Sequence, residues 1–238
     1  MSVPSAPRAD DFADERADAL ADEAARAAGL EVRVIRPSDH PALSEAEAAV
    51  LDERERARAA AFVRDADRHR YQVAHLALRR ELGARLDVAP QRLAFVREPC
   101  PCCGEPHGRP AVAGGGPHFS LSHADDLVLI AFARVPVGAD VERRVSPTTV
   151  EQTVGALHPD ERAEITALPA AARPLAFTRC WTRKEAYLKG TGSGLGEDPS
   201  VTYVGSGPTP ATVPGWRLLD LTVPDDYAAA VALRTGDG

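Results

Sequence analysis

The strongest constraint on the fold lies in Phe177-Thr-Arg-Cys-Trp-Thr-Arg-Lys-Glu-Ala-Tyr-Leu-Lys-Gly190. The stretch has no interior Gly or Pro and is built largely from good helix formers. It therefore reads as a helix, with Gly190 placed to end it in a left-handed cap. Trp181, Glu185 and Lys189 recur at i, i+4 and i+8 and so line one face. The chain has 28 Lys and Arg residues, yet its only lysines are Lys184 and Lys189. An ammonium is a compact charge with an adjustable pKa, whereas a guanidinium is a planar fork that stays protonated. Two ammonium groups kept in one helix of an arginine-rich chain point to chemistry there. The competing reading is a solvated Glu185–Lys189 ion pair of small worth.

At 238 residues the chain is long enough to bury a real core, as one medium domain or two small ones. It is 44% hydrophobic and 26% charged, like an ordinary soluble globular protein. No apolar run is long enough to span a bilayer and no signal-peptide core opens the chain, so a cytoplasmic location without membrane contact is expected. A net charge of -7 argues against nucleic acid as a partner. An anionic ligand would need local clusters of Arg, Lys and His.

Residues 1–29, rich in Ala, Asp, Glu and Arg, read as a loose or helical extension outside the core. Leu30 to Ile35 alternates as a first strand. Ser44-x-x-Glu47 is a capping box for a helix expected to run through Arg54, Arg56 and Arg58. A second helix places Tyr71, Ala74, His75, Leu78 and Leu82 on one face and stops at Gly83. Leu93 to Val96, His118 to Ser122, Leu127 to Ala133 and Val137 to Glu142 read as strands. Ser146-Pro147 caps another helix, followed by Asp160 to Leu168 and Pro174 to Lys189. Thr191 to Pro210 is loop, and Trp216 to Val223 and Tyr227 to Leu233 close the chain as strands.

Four further groups carry chemistry. On the strand Gly138-Ala-Asp-Val-Glu142, Asp140 and Glu142 point to one side, about 7 Å apart along the strand. That suits a shared hard cation such as Mg²⁺; the alternative is a solvent-facing acidic edge. Gly138 admits close approach of a ligand or another backbone. In His118-Phe-Ser-Leu-Ser-His123, Ser122 and His123 stand at a strand end where they can bond a phosphate. Gly108-Arg109-Pro110 can present a guanidinium. Arg54, Arg56, Arg58, Arg64, Arg68 and Arg70 make a positive island, unless Glu53, Glu55, Asp65 and Asp67 pair with them. Cys100-Pro-Cys102-Cys103 with His107 invites a zinc reading, but the spacing is irregular. The expectation is a loop braced by Pro and Gly with incidental thiols.

Taken in order, these pieces resemble the Sfp-type 4′-phosphopantetheinyl transferases. The resemblance rests on the basic patch, Gly108-Arg-Pro110, Phe119-Ser-Leu-Ser-His123, Gly138-Ala-Asp-Val-Glu142 and Trp181-Thr-Arg-Lys-Glu-Ala-Tyr-Leu-Lys189. It implies an α+β fold of two similar subdomains, 30–135 and 136–238, related by pseudo-twofold symmetry, with the active site between them. It implies transfer of the phosphopantetheine arm of coenzyme A to a serine of an apo acyl or peptidyl carrier protein by a monomer, releasing 3′,5′-ADP. Carried over residue by residue, Asp140, Glu142 and Glu185 would hold Mg²⁺. Glu185 would take the serine proton and Lys189 would neutralise the diphosphate. Arg58, Arg70, Arg109, Ser122, His123 and Lys184 would contact coenzyme A. The chain departs from the family pattern at Arg109, where Lys is usual, and at Ala139, where Ile is common.

Two other readings use the same residues. One is a Mg²⁺-dependent hydrolase that cleaves a nucleotide pyrophosphate with water. The other is a non-catalytic module that binds carrier proteins; three carboxylates and two lysines retained together speak against it.

Overall fold

The computed structural model describes residues 23–236. Most of the extension expected over 1–29 lies outside them. Its last part, Glu23–Ala28 (α1), is helical, and Ala25 is fully buried in the core rather than outside it.

The first half continues with β1 (Glu31–Ile35), α2 (Glu45–Ala48), α3 (Glu53–Ala60), α4 (Asp65–Leu86), β2 (Phe95–Arg97), β3 (Pro110–Val112), β4 (His118–Ala124) and β5 (Leu127–Ala133). The second half comprises β6 (Val137–Arg143), α5 (Pro147–Thr153), α6 (Pro159–Ala167), α7 (Arg173–Thr191), β7 (Trp216–Leu221) and β8 (Tyr227–Arg234). Among the described residues no helix is long and apolar enough to cross a membrane.

Each half builds a three-stranded antiparallel sheet, β1-β5-β4 and β6-β8-β7. In both, the first strand pairs with the last, a long helix follows the first strand, and a hairpin closes the unit. Alternation along the strands divides the apolar side chains between three layers. Val32, Val34, Leu127, Leu129, Val137, Ala139, Val141, Val231 and Leu233 fill a layer shared by the two sheets. Val128, Ile130 and Phe132 face α4 through Val73, Ala77 and Leu82. Ala230, Ala232 and Leu218 face α7 through Phe177, Cys180 and Ala186. Burying each large aliphatic side chain contributes roughly 1.5–3 kcal/mol.

Three helix boundaries differ from expectation. Ser44 and Glu47 do form a capping box, but that helix stops at Ala48. Asp52 and Glu55 form a second capping box that starts α3. Helix α4 passes through Gly83 and ends at Asp87, which takes φ 52°; a Cβ on Gly83 would come within 2.7 Å of the Val88 carbonyl. Helix α7 likewise passes through Gly190 to Thr191, and Gly192, at φ 80°, is its cap.

Gly190 serves packing instead. A Cβ there would meet the Trp216 ring at 2.7 Å, and one on Gly138 would strike the α7 backbone at Ala186 and Gly190. The backbones of β6 and α7 therefore touch with no side chain between them.

Candidate active site

Because β6 alternates, Val137, Ala139 and Val141 enter the shared apolar layer. Gly138, Asp140 and Glu142 occupy the opposite face, against α7. The Gly138 contact brings α7 close enough for Lys189 to reach Asp140, its Nζ donating to Oδ1 at 2.6 Å. Strand β4 runs alongside β6. Ser120 accepts a hydrogen bond from the Ala139 N–H at 2.9 Å, and Ser122 donates to the same Asp140 Oδ1 at 2.8 Å. Lys189 also donates to Ser122 Oγ at 3.1 Å.

Asp140 is 2% exposed, and its Oδ2 is buried without any hydrogen-bond partner. Burial pushes its carboxyl upward, against the pull of the Lys189 ammonium. Burial, helped by Asp140 and then Glu185, raises Glu142 to about 7, with Lys189 opposing. Glu185 is raised by burial and by Asp140. Three carboxylates that each resist ionisation, one with an orphaned buried oxygen, form a donor set that fits a hard divalent cation. They do not converge beforehand: their oxygens are not all within 4.8 Å of one another.

A cavity of about 1360 Å³ opens beside this cluster. Arg54, Arg58, Tyr71 and His75 line it from the α3–α4 side, and His107 and Arg109 from the loop after β2. Ser122 and His123 of β4, Glu142 of β6 and Lys189 of α7 complete the wall. His123 keeps solvent access, yet the protein packed around it and the charges of Arg70 and Lys189 hold its imidazole below the ordinary range.

Comparison with known proteins identifies the family. The family model of the 4′-phosphopantetheinyl transferase superfamily matches residues 136–232, which span β6, α7 and most of the closing hairpin. The 4′-phosphopantetheinyl transferase HetI of a Nostoc species is 34% identical over 192 residues, covering 78% of this chain and 79% of HetI. The chain belongs to the 4′-phosphopantetheinyl transferase superfamily. It is an enzyme of that family, as the sequence resemblance implies. The 4′-phosphopantetheinyl transferase Gsp of Aneurinibacillus migulanus is 27% identical over 134 residues, covering 56% of this chain and 53% of Gsp. Sfp of Bacillus subtilis is 30% identical over 78 residues, about a third of each chain (33% and 34%).

Against the transferase expectations, the structure gathers Asp140, Glu142, Glu185, Lys189 and Ser122 and puts Arg58, Arg109 and His123 on the cavity wall. Arg109 bridges rather than hangs free: Nε and Nη2 bond Glu98 at 2.9 and 2.6 Å, and Nη1 donates to the Gly190 carbonyl at 2.6 Å.

Two expected coenzyme A contacts are engaged by other protein groups. Lys184 is 1% exposed, and its ammonium is held by Glu161 at 2.9 Å and the Thr202 carbonyl at 2.6 Å. It falls on the buried stripe Cys180, Lys184, Leu188, so it braces α7 against α6 and cannot reach the site. Arg70 stands beside His123, with its guanidinium held by other groups. Its Nη1 donates to the Asp125 carbonyl at 2.7 Å and its Nη2 to Asp67 at 2.6 Å.

Sequence reasoning missed the support beneath the basic face. Arg79 is fully buried and binds Glu55 and Asp52, both at 2.6 Å, and the Leu93 carbonyl at 3.0 Å. His75 holds the other Glu55 oxygen at 3.1 Å. Glu55 therefore does not neutralise the arginines of α3. The signal was present as Asp52-x-x-Glu55, a second capping box.

Proposed function

We propose that this enzyme moves the 4′-phosphopantetheine arm of coenzyme A onto a serine of an apo acyl or peptidyl carrier protein, releasing 3′,5′-ADP. The observation that carries this reading is the Asp140 carboxylate. One oxygen is saturated by Ser122 and Lys189 and the other, buried, meets no protein donor. In this reading Asp140, Glu142 and Glu185 hold Mg²⁺, which supplies positive charge to the diphosphate when bound.

The chain's own residues then divide the work. Arg58 offers an exposed guanidinium to the phosphate-bearing nucleotide end, supported by His123 and Arg109. The carrier serine Oγ forms a bond to the phosphorus of the arm while the bond to the bridging oxygen of ADP breaks. Glu185, whose carboxyl burial and the neighbouring Asp140 push above the ordinary carboxylate range, takes the serine proton. Lys189 stabilises the charge that grows on the departing oxygen. No covalent enzyme residue is required, because the carrier supplies the nucleophile.

The shared strand order of the two sheets supports two subdomains, 30–135 and 136–238, related by a pseudo-twofold with the active site between them. A monomer then suffices. The test is mass spectrometry of apo-carriers incubated with coenzyme A and Mg²⁺. The expected result is a gain of one phosphopantetheine group on one serine. Release of 3′,5′-ADP from coenzyme A without a carrier would replace transfer by hydrolysis.

A further inference from the structure

The Cys-rich loop, expected to be braced by Pro and Gly alone, is the tip of a built hairpin. The β2–β3 ladder extends beyond Arg97↔Pro110 through Glu98 N–H to the Arg109 carbonyl (2.9 Å) and Gly108 N–H to the Glu98 carbonyl (2.8 Å). Cys100 N–H then bonds the Glu105 carbonyl and Gly104 N–H the Cys100 carbonyl, both at 2.8 Å. Gly104, at φ 79°, makes the tight turn. Gly108 lets the chain fold under itself, since a Cβ there would meet the Glu98 carbonyl at 2.6 Å.

This backbone converges three soft ligands. Cys100 Sγ, Cys103 Sγ and a ring nitrogen of His107 lie within 4.8 Å of one another, and Cys103 Sγ stands 3.0 Å from His107 Nε2. The backbone N–H groups of Cys102 and Cys103 lie against the Cys100 sulfur. Cys100 is shielded by its own loop, while Cys103 and His107 remain open to an incoming ion.

We propose that Cys100, Cys103 and His107 bind a zinc-class divalent cation, with water at the fourth position. Two thiolates and an imidazole select zinc over magnesium, so this centre is chemically separate from the carboxylate cluster. Its place gives it a purpose. The hairpin carries His107 and Arg109 to the cavity wall, and Arg109 crosses to the Gly190 carbonyl at the end of α7. A cation at the tip clamps that wall.

The test is metal analysis of full-length protein purified without chelator or metal affinity, followed by cobalt substitution. One zinc per chain is expected. The cobalt form should show thiolate charge-transfer bands and the intense visible bands of a tetrahedral site. Cys103→Ala and His107→Ala, both exposed positions, should remain folded by circular dichroism and lose these bands. Cys102→Ala, which removes a neighbouring thiol, should keep them. Stripping zinc should lower the melting temperature of the wild-type protein and change nothing in Cys103→Ala. A cobalt spectrum of oxygen ligation only, a Cys100–Cys103 disulfide in the purified protein, or loss of metal in Cys102→Ala equal to that in Cys103→Ala would overturn the assignment.

Discussion

Lys189 grips Asp140 by one oxygen only: Nζ lies 2.6 Å from Oδ1, while Oδ2 is buried and unpartnered. An ion pair built for stability would saturate both oxygens, since an unmet buried acceptor costs about 1–3 kcal/mol. In the proposed function that open oxygen is a metal ligand. Asp140→Ala should cut turnover by roughly two orders of magnitude or more while the protein stays folded. Steady-state kinetics at saturating Mg²⁺ decide it, and normal activity would remove Asp140 from the metal set.

The two lysines should separate by readout. Lys189→Ala should act on turnover, because charge on the leaving oxygen grows in the transition state. Lys189→Arg should rescue only in part, as a planar fork is a poor replacement for an ammonium at one oxygen. Lys184→Met leaves Glu161 buried and unpaired, which costs about 3–5 kcal/mol. Adding Glu161→Gln should recover much of that loss in denaturant melts. A Lys184→Met protein of normal stability but raised KM for coenzyme A would return Lys184 to the ligand contacts.

Glu142 sets a pH dependence. Its folded pKa of about 7 exceeds the ordinary 4.5, so the folded protein binds the extra proton in that interval. Stability without Mg²⁺ is therefore undiminished by this group below about pH 4.5, falls as pH rises and reaches its full penalty above about pH 7. Glu142→Gln removes the penalty. It should stabilise the protein at pH 8 by on the order of 1–3 kcal/mol and leave pH 4 unchanged. Melts with magnesium omitted test this, and equal shifts at both pH values would refute it.

Arg58→Ala should raise KM for coenzyme A more than for dephospho-coenzyme A, which lacks the 3′-phosphate, because a charge-assisted phosphate bond is the stronger kind. Arg70→Ala should discriminate less, since its fork already serves Asp67 and Asp125. Equal weakening of both donors by Arg58→Ala would assign that arginine to the carrier instead.

The strands of the two three-stranded sheets and α7 were legible because their apolar periodicity is decided locally, whereas β3 (Pro110–Val112) lies in a stretch that reads as loop. Asp140 and Glu142 could be placed on one face from the two-residue repeat alone. What stayed hidden depends on what lies across the chain. Nothing near Lys184 announces that Glu161 waits beneath it, although the stripe Cys180, Lys184, Leu188 marks that face as the core side. Gly190 looked like a cap because its partners, Gly138 and Trp216, are distant in sequence. The hairpin ladder that converges Cys100, Cys103 and His107 is likewise invisible in their spacing.

The contact between Gly138 and Gly190 restricts how such an enzyme can diversify. An ordinary helix–sheet seam offers side chains whose size can be tuned, letting the helix drift by fractions of an ångström. Here neither position has a side chain to exchange, and an added methyl on Gly138 would meet backbone that cannot turn aside. The spacing from Asp140 to Lys189 is thus shielded from gradual adjustment. Any adjustment of the protein is left to positions whose side chains can change in size, while this contact holds the spacing fixed.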